Sequence, residues 1–253
     1  LFISHDQYHQ ITSHISVNNP IVVRSSLNED SFISREEILK QRRFHRGEST
    51  TKKRCRFLSV VWHEYHQYQR KGIFETLMAL SILKERTEFE FEWIIVGGFG
   101  DGLEKLHKKV KALNLEDHVS IYQDISQEKK IEWFLKSDLY IQPSWCEGFG
   151  NAVLEAMSYG LPGLVSRYTS QPEVVGNTGF IALEMTPEHI YQKLKEFMEL
   201  TDHEIKCLMD KVINRVDKEF LFSTRAAKLK NICIDSKVLE ASDDNSSKEL
   251  GGI

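Results

Sequence analysis

Between Phe57 and Ile234, short β-branched and aromatic runs alternate with longer stretches whose apolar residues recur every three or four positions. That alternation predicts repeated βα units and a parallel sheet covered by helices. Strands are expected at 57–61, 91–96, 119–122, 138–142, 163–166 and 179–183. Helical spacing is carried by Ile73, Leu77, Leu80 and Leu83, then by Leu103, Leu106, Val110 and Leu113, then by Ile131, Phe134 and Leu135. Ser126 is placed to start the third of these helices. A short helix is expected over 150–159, stopped by Gly160 and Pro162, and Pro187 opens an all-helical stretch that runs to about Ile234. The loop from Trp62 to Arg70, rich in His, Tyr and Gln, shows no apolar period.

Residues 1–56 follow this scheme poorly. Short strands are expected near Phe2–Ser4 and Ile21–Arg24, and the basic run from Lys40 to Arg56 reads as a solvated linker between domains. The division expected is therefore a 1–56 segment, a 57–234 globular domain, and a polar, disordered tail over 235–253. A hydrophobic fraction of 41% supports a substantial core, and a net charge of −4 with scattered basic residues gives no footprint for nucleic acid. No apolar run reaches the roughly 18 residues of a membrane span. The chain begins with Leu1, which leaves room for an upstream segment. Cys55, Cys146, Cys207 and Cys233 are widely spaced and read as reduced thiols in a cytoplasmic setting.

The densest chemistry lies in Pro143-Ser144-Trp145-Cys146-Glu147-Gly148-Phe149-Gly150-Asn151-Ala152-Val153-Leu154-Glu155-Ala156-Met157. It is a strand end, a glycine-rich turn and a helix start. Such a turn aims unpaired N–H groups outward, and the helix dipole favours an anion there. Gly148 and Gly150 permit close approach to the backbone. Glu147 in the turn and Glu155 one and a half turns into the helix are two carboxylates set apart, each able to accept from vicinal hydroxyls.

This segment resembles the retaining family 4 glycosyltransferases, whose signature has the form P-S-x-x-E-G-F-G-x-x-x-x-E-A-M. The resemblance continues through Arg70-Lys71-Gly72-Ile73, through Ile94-Ile95-Val96-Gly97-Gly98, through Gln171-Pro172-Glu173-Val174-Val175 with Thr178-Gly179, and through Phe220 to Ser223. It implies a Rossmann-like parallel sheet flanked by helices, the C-terminal half of a two-domain GT-B fold, with 1–56 as a remnant of the acceptor domain. It further implies transfer of a hexose from a nucleoside diphosphate sugar, UDP- or GDP-linked, to an unknown acceptor, with retained configuration and no metal or other cofactor. Glu147 would hold sugar hydroxyls. The backbone of Gly148, Phe149 and Gly150, with Asn151 following, would line the sugar and diphosphate. Glu155 would bind the ribose, and Lys71 would neutralise the leaving diphosphate.

Relatives carry an arginine a few residues before that lysine, where this chain reads Val60-Val61-Trp62-His63-Glu64. Arg70 or His63 supplies the missing charge, or activity is impaired. The Gly97–Gly102 turn is either a nucleotide contact or a plain strand-to-helix turn, and Glu173 is either a site acid or a helix-start residue. The base is expected to meet strand-end residues such as Tyr122 and Gln123. His63 and His66 lack a third metal ligand nearby. The alternative to an enzyme is a non-catalytic nucleotide-sugar-binding module. A dinucleotide oxidoreductase is disfavoured by the absence of G-x-G-x-x-G after the first strand.

Overall fold

The computed structural model describes residues 3–13, 22–27, 34–46, 54–168 and 170–235. Six parallel strands form one sheet: β1 (Cys55–Val60), β2 (Phe91–Gly97), β3 (Val119–Gln123), β4 (Leu139–Gln142), β5 (Gly163–Ser166) and β6 (Phe180–Ala182). Their spatial order is β3-β2-β1-β4-β5-β6. β1 is the pivot: it pairs with β2 from Cys55↔Phe91 to Val60↔Val96, and with β4 at Phe57↔Leu139 and Leu58↔Tyr140. Chain progress therefore reverses direction between β1 and β4. In open α/β sheets the crevice at the carboxyl end of that reversal is where ligands bind.

The strands are apolar throughout because both sheet faces are covered. Successive residues feed opposite cores. Phe57, Trp93 and Ile95 pack on one side with α4 (Ile73–Arg86), α5 (Leu103–Ala112) and α9 (Pro187–Met198). Leu58, Ile94 and Tyr140 pack on the other with α6 (Gln127–Lys136), α7 (Asn151–Ser158) and α10 (Asp202–Glu219). The one buried polar side chain on β1, Ser59, is satisfied by donating to the Ile141 carbonyl at 2.6 Å and accepting from Trp93 Nε1 at 3.0 Å.

The expected strands and helices of 57–234 form, with end shifts of a residue or two. The all-helical stretch after Pro187 divides into α9, α10 and α11 (Phe222–Asp235). Thr201 and Glu204 make a reciprocal capping box that starts α10. α8 (Gln171–Val175) gives Glu173 the helix-start place that was one of its two readings, whereas α3 (Tyr65–Arg70), inside the expected loop, was not foreseen. Of the residues expected as a tail, 235–253, Asp235 ends α11, and 236–253 lie outside the described residues.

Departures concentrate before β1. No regular strand forms over the described part of Ile21–Arg24, and residues 22–27 join the domain where Leu27 N–H donates to the Phe220 carbonyl at 2.9 Å and Phe222 N–H to Leu27 at 3.1 Å. α1 (His5–Thr12) rests its N-terminal amides on Glu173, with His5 N–H at 3.1 Å and Asp6 N–H at 2.9 Å. Glu173 is thus a helix cap for a distant segment.

The basic run contains α2 (Arg35–Arg46), and Arg42, expected among solvated cations, is buried. Its guanidinium donates to the carbonyls of Phe134 at 2.7 Å, Ser137 at 2.8 Å and Tyr159 at 3.3 Å. Those carbonyls belong to the C-terminal ends of α6 and α7, where helix dipoles attract a cation. A reading of charge along the chain misses this because the acceptors come together only in the fold. Arg42→Met is expected to destabilise the domain by about 2–4 kcal/mol, read from the urea midpoint. Lys40→Met, on a side chain 79% exposed, is expected to stay within about 0.5 kcal/mol.

Candidate active site

At the reversal, the segment that follows β4 lies against the α3–α4 connection that follows β1. Trp145 N–H donates to the Arg70 carbonyl at 2.8 Å, which ties the two together. Gly72 adopts φ +67° as α4 begins; a Cβ there would sit 2.3 Å from the Pro143 carbonyl. Only glycine fits this left-handed, crowded position.

The tie brings Arg70, Lys71 and Glu147 into one cluster. One carboxylate oxygen of Glu147, Oε1, accepts from Gln142 Nε2 at 3.0 Å and Ser144 Oγ at 3.4 Å and forms ion pairs with Arg70 NH1 at 3.2 Å and Lys71 Nζ at 3.5 Å. Among the described residues Oε2 has no hydrogen-bond partner. Gln142, the last residue of β4, also accepts from Lys71 Nζ at 3.2 Å and from Tyr140 OH at 3.0 Å. The carboxylate is therefore oriented through one oxygen, and the other is left to accept.

Burial pushes the Lys71 ammonium below the ordinary lysine range; Glu147 opposes that shift and Arg70 adds to it. Arg70 is more exposed. It also donates to the Cys146 carbonyl at 2.8 Å and to Gln67.

α7 begins beside this cluster with no side-chain cap and no acidic residue in its first turn. Gly150, at φ +95°, is its N-cap, and Asn151 is its exposed first residue. A Cβ on Gly148 would meet nothing within 4 Å, so packing does not demand glycine there and the backbone borders open space. The Gly148 carbonyl is held by Ser170 Oγ at 3.0 Å. Phe149 turns its ring inward against Phe220, so only its backbone is left for a ligand.

A cleft of about 380 Å³ runs from Lys71 and Ala152 across β1 and β2 to the β3–α6 turn. Gly97 and Gly98 line it, yet their lack of a side chain has a packing cause as well. A Cβ would lie 1.6 Å from the Val61 carbonyl at Gly97 and 2.3 Å from the Trp62 ring at Gly98. The far wall comes from Asp124, Ile125, Gln127 and Lys130. Tyr122 and Gln123 are not among the lining residues: the Tyr122 ring packs on Trp133, 5.5 Å between centroids. Glu155 pairs with Lys130 at 2.7 Å. Gln142, Lys130, Asp124 and Trp62 carried no motif in the sequence. The one usable signal was their position at strand ends and first turns, where such a sheet gathers its ligand contacts.

His63 does not replace the missing arginine. It is fully buried; Nε2 faces the Tyr122 carbonyl at 3.0 Å and Nδ1 faces Tyr68 OH at 2.8 Å. A carbonyl only accepts, so Nε2 carries the hydrogen; burial disfavours a second proton, which leaves the ring neutral with Nδ1 accepting from the tyrosine. With both nitrogens engaged, it is also no partner for His66 in a metal pair.

Burial lowers the His63 pKa, the Tyr122 carbonyl opposes that shift, and His107 adds to it. The unfolded chain takes up a proton at the ordinary histidine value while the folded ring resists. The stability due to His63 is thus complete above that value and is lost as pH falls toward the lowered one. Urea unfolding between about pH 8 and pH 5 is expected to show a steeper acid loss in the parent than in His63→Gln. Equal slopes would remove His63 from the account.

The fold is the Rossmann-like, C-terminal half of the GT-B glycosyltransferases. The family model "Glycosyl transferases group 1" matches residues 65–208, and the chain belongs to that family. Among curated proteins it is similar to the O-antigen chain mannosyltransferase B of Escherichia coli, 30% identical over 146 residues, which covers 54% of this chain and 38% of the relative. It is also similar to the D-inositol 3-phosphate glycosyltransferase of Streptomyces scabiei, 31% identical over 129 residues, covering 48% of this chain and 29% of that protein. The chain thus matches well under half the length of these relatives. Among solved structures, a glycosyltransferase from Rickettsia africae superposes with a TM-score of 0.74 at 18% identity, over 95% of this chain and 63% of that one. Sucrose-phosphate synthase from Thermosynechococcus elongatus does so with 0.74 at 20% identity, over 95% and 58%. At these identities the structural likeness concerns the fold. Among the described residues no helix is long and apolar enough to cross a membrane.

Proposed function

We propose that this chain is the donor-binding half of a retaining glycosyltransferase, which moves a hexose from a nucleoside diphosphate sugar to an acceptor. The carrying observation is the Glu147 carboxylate, held on one oxygen by two hydrogen bonds and two ion pairs and, among the described residues, unpartnered on the other, beside Lys71 and the uncapped start of α7. In the transfer, the bond from the sugar carbon to the diphosphate breaks, a bond to the acceptor oxygen forms, and negative charge gathers on the leaving phosphate. Lys71, Arg70 and the α7 dipole stabilise that charge from fixed positions, which also removes the need for a metal. Glu147 Oε2 accepts from sugar hydroxyls. Glu155 accepts from the ribose once Lys130 is displaced. Retention of configuration is supported by the likeness of 143–157 to retaining enzymes, and a cytoplasmic setting by free Cys55, Cys146 and Cys207.

The test is nucleotide binding and donor hydrolysis. Lys71→Met is expected to weaken UDP and GDP binding by at least about tenfold, which is roughly 1.4 kcal/mol. The chain should remain folded, because Arg70 still pairs with Glu147 at 3.2 Å. Glu147→Gln is expected to lower donor hydrolysis by about 10²-fold and leave diphosphate binding nearly intact. Binding should also decline as pH rises through the lowered Lys71 pKa, and Lys71→Arg should remove that decline. If Lys71→Met binds diphosphates as the parent does and Glu147→Gln hydrolyses donor as the parent does, the site assignment is wrong. Binding by the parent with no turnover by a version that also carries the acceptor-binding half favours the second reading, a nucleotide-sugar-binding module, for which the absent strand-end arginine speaks.

A further inference from the structure

The cleft has two ends, one basic and one that carries Asp124 as its acid beside Lys130. Lys71 marks the first, beside β1 and β4; the second is the turn after β3, with Asp124, Ile125 and Gln127. β3 lies two strands from β1, roughly 10 Å along the sheet. A nucleotide with its diphosphate at Lys71 and its ribose at Glu155 therefore extends its base toward Asp124. Apolar walls of Val60, Val96 and Ile125, with Trp62 63% exposed at the rim, suit a flat ring there.

Three polar side chains line that end. Lys130, which pairs with Glu155 at 2.7 Å until a ribose displaces it, only donates, and the Gln127 amide offers a donor and an acceptor alike. Asp124 is the acceptor-only group. It sits at φ +48°, one of two non-glycine residues in the left-handed region among the described residues, and its N–H donates to the Gly97 carbonyl at 2.8 Å. The turn so fixed keeps a carboxylate at the cleft where glycine would relieve the backbone.

We infer that the donor nucleotide carries guanine, read by the Asp124 carboxylate. The inference rests on the donor-site reading above and narrows it to one base. Guanine presents two adjacent donors, N1–H and the 2-amino group, which a carboxylate accepts as a bidentate pair. Uracil presents one N–H between two carbonyl oxygens, so a carboxylate facing it meets a lone pair of like polarity. Adenine offers one amino donor beside a bare acceptor nitrogen. A site built to accept two hydrogen bonds rejects a ligand that leaves it unpaired. Gln127 can donate to guanine O6 without deciding between the bases.

The test is calorimetric titration of the chain with GDP, UDP and ADP, repeated on Asp124→Asn. Asparagine tolerates the left-handed backbone at least as well, so the turn is kept. Its amide pairs one donor and one acceptor, which suits uracil's edge as readily as guanine's. GDP is expected to bind at least about tenfold tighter than UDP or ADP, and Asp124→Asn to bring GDP and UDP within about threefold. UDP or ADP binding as tightly as GDP overturns the guanine assignment and leaves the donor site standing. So does a preference for GDP that survives Asp124→Asn unchanged. If none of the three binds to the folded chain, the donor-site reading falls and the guanine assignment falls with it.

Discussion

Everything at the site depends on the reversal of chain direction between β1 and β4. It sets the residues following two neighbouring strands against one another, with no helix between them at that edge. The Trp145 N–H to Arg70 carbonyl bond locks the two segments, and the Gly72 turn allows the approach. Lys71 and Glu147, far apart in sequence, then share Gln142 and face each other at 3.5 Å. A buried lysine is costly when its charge is unmatched. Here the charge is matched on one side by a carboxylate and opens on the other into a cleft. The same arrangement orients Glu147, presents an unpaired oxygen, and aims positive potential where the α7 dipole already points.

The domain supports that geometry from the far end. α6 and α7 start at the cleft and finish together on the Arg42 guanidinium, which satisfies carbonyls at both C-termini. α1 is fixed in a comparable way by Glu173, in the helix after β5, while Ser4 Oγ reaches the Gly148 carbonyl at 3.5 Å. Segments that precede β1 in sequence thus brace the loop that carries Glu147. They contribute to the site through packing and capping rather than through contact with a ligand.

The sheet and the main helices were legible because two-sided burial writes long apolar runs, and because helix periodicity survives in α4, α5 and α6. The Glu147–Glu155 segment was legible because its turn chemistry is local. What escaped depends on convergence. α3 buries a single residue, Tyr68, and has no apolar period to betray it. Arg42 looks like any other cation in a basic run until three carbonyls surround it. His63 looks like a spare charge until the Tyr122 carbonyl and the Tyr68 hydroxyl occupy both of its nitrogens. Tyr122 and Gln123 end β3, and the cleft lining continues after them with Asp124, Ile125 and Gln127, where the turn bends back over Gly97. Gly97 and Gly98 show that a glycine-rich turn can border a ligand cleft and still owe its glycines to the chain packed against it.

The central claim is that the loop and helix start from Gly148 to Ala152, together with the Arg70–Gly72 turn, receive an activated sugar phosphate. Amide hydrogen exchange with and without a saturating nucleoside diphosphate tests it most directly. Slowed exchange confined to those two segments and the β3–α6 turn is the predicted result. Binding accompanied by protection elsewhere, with all three segments unchanged, would contradict it.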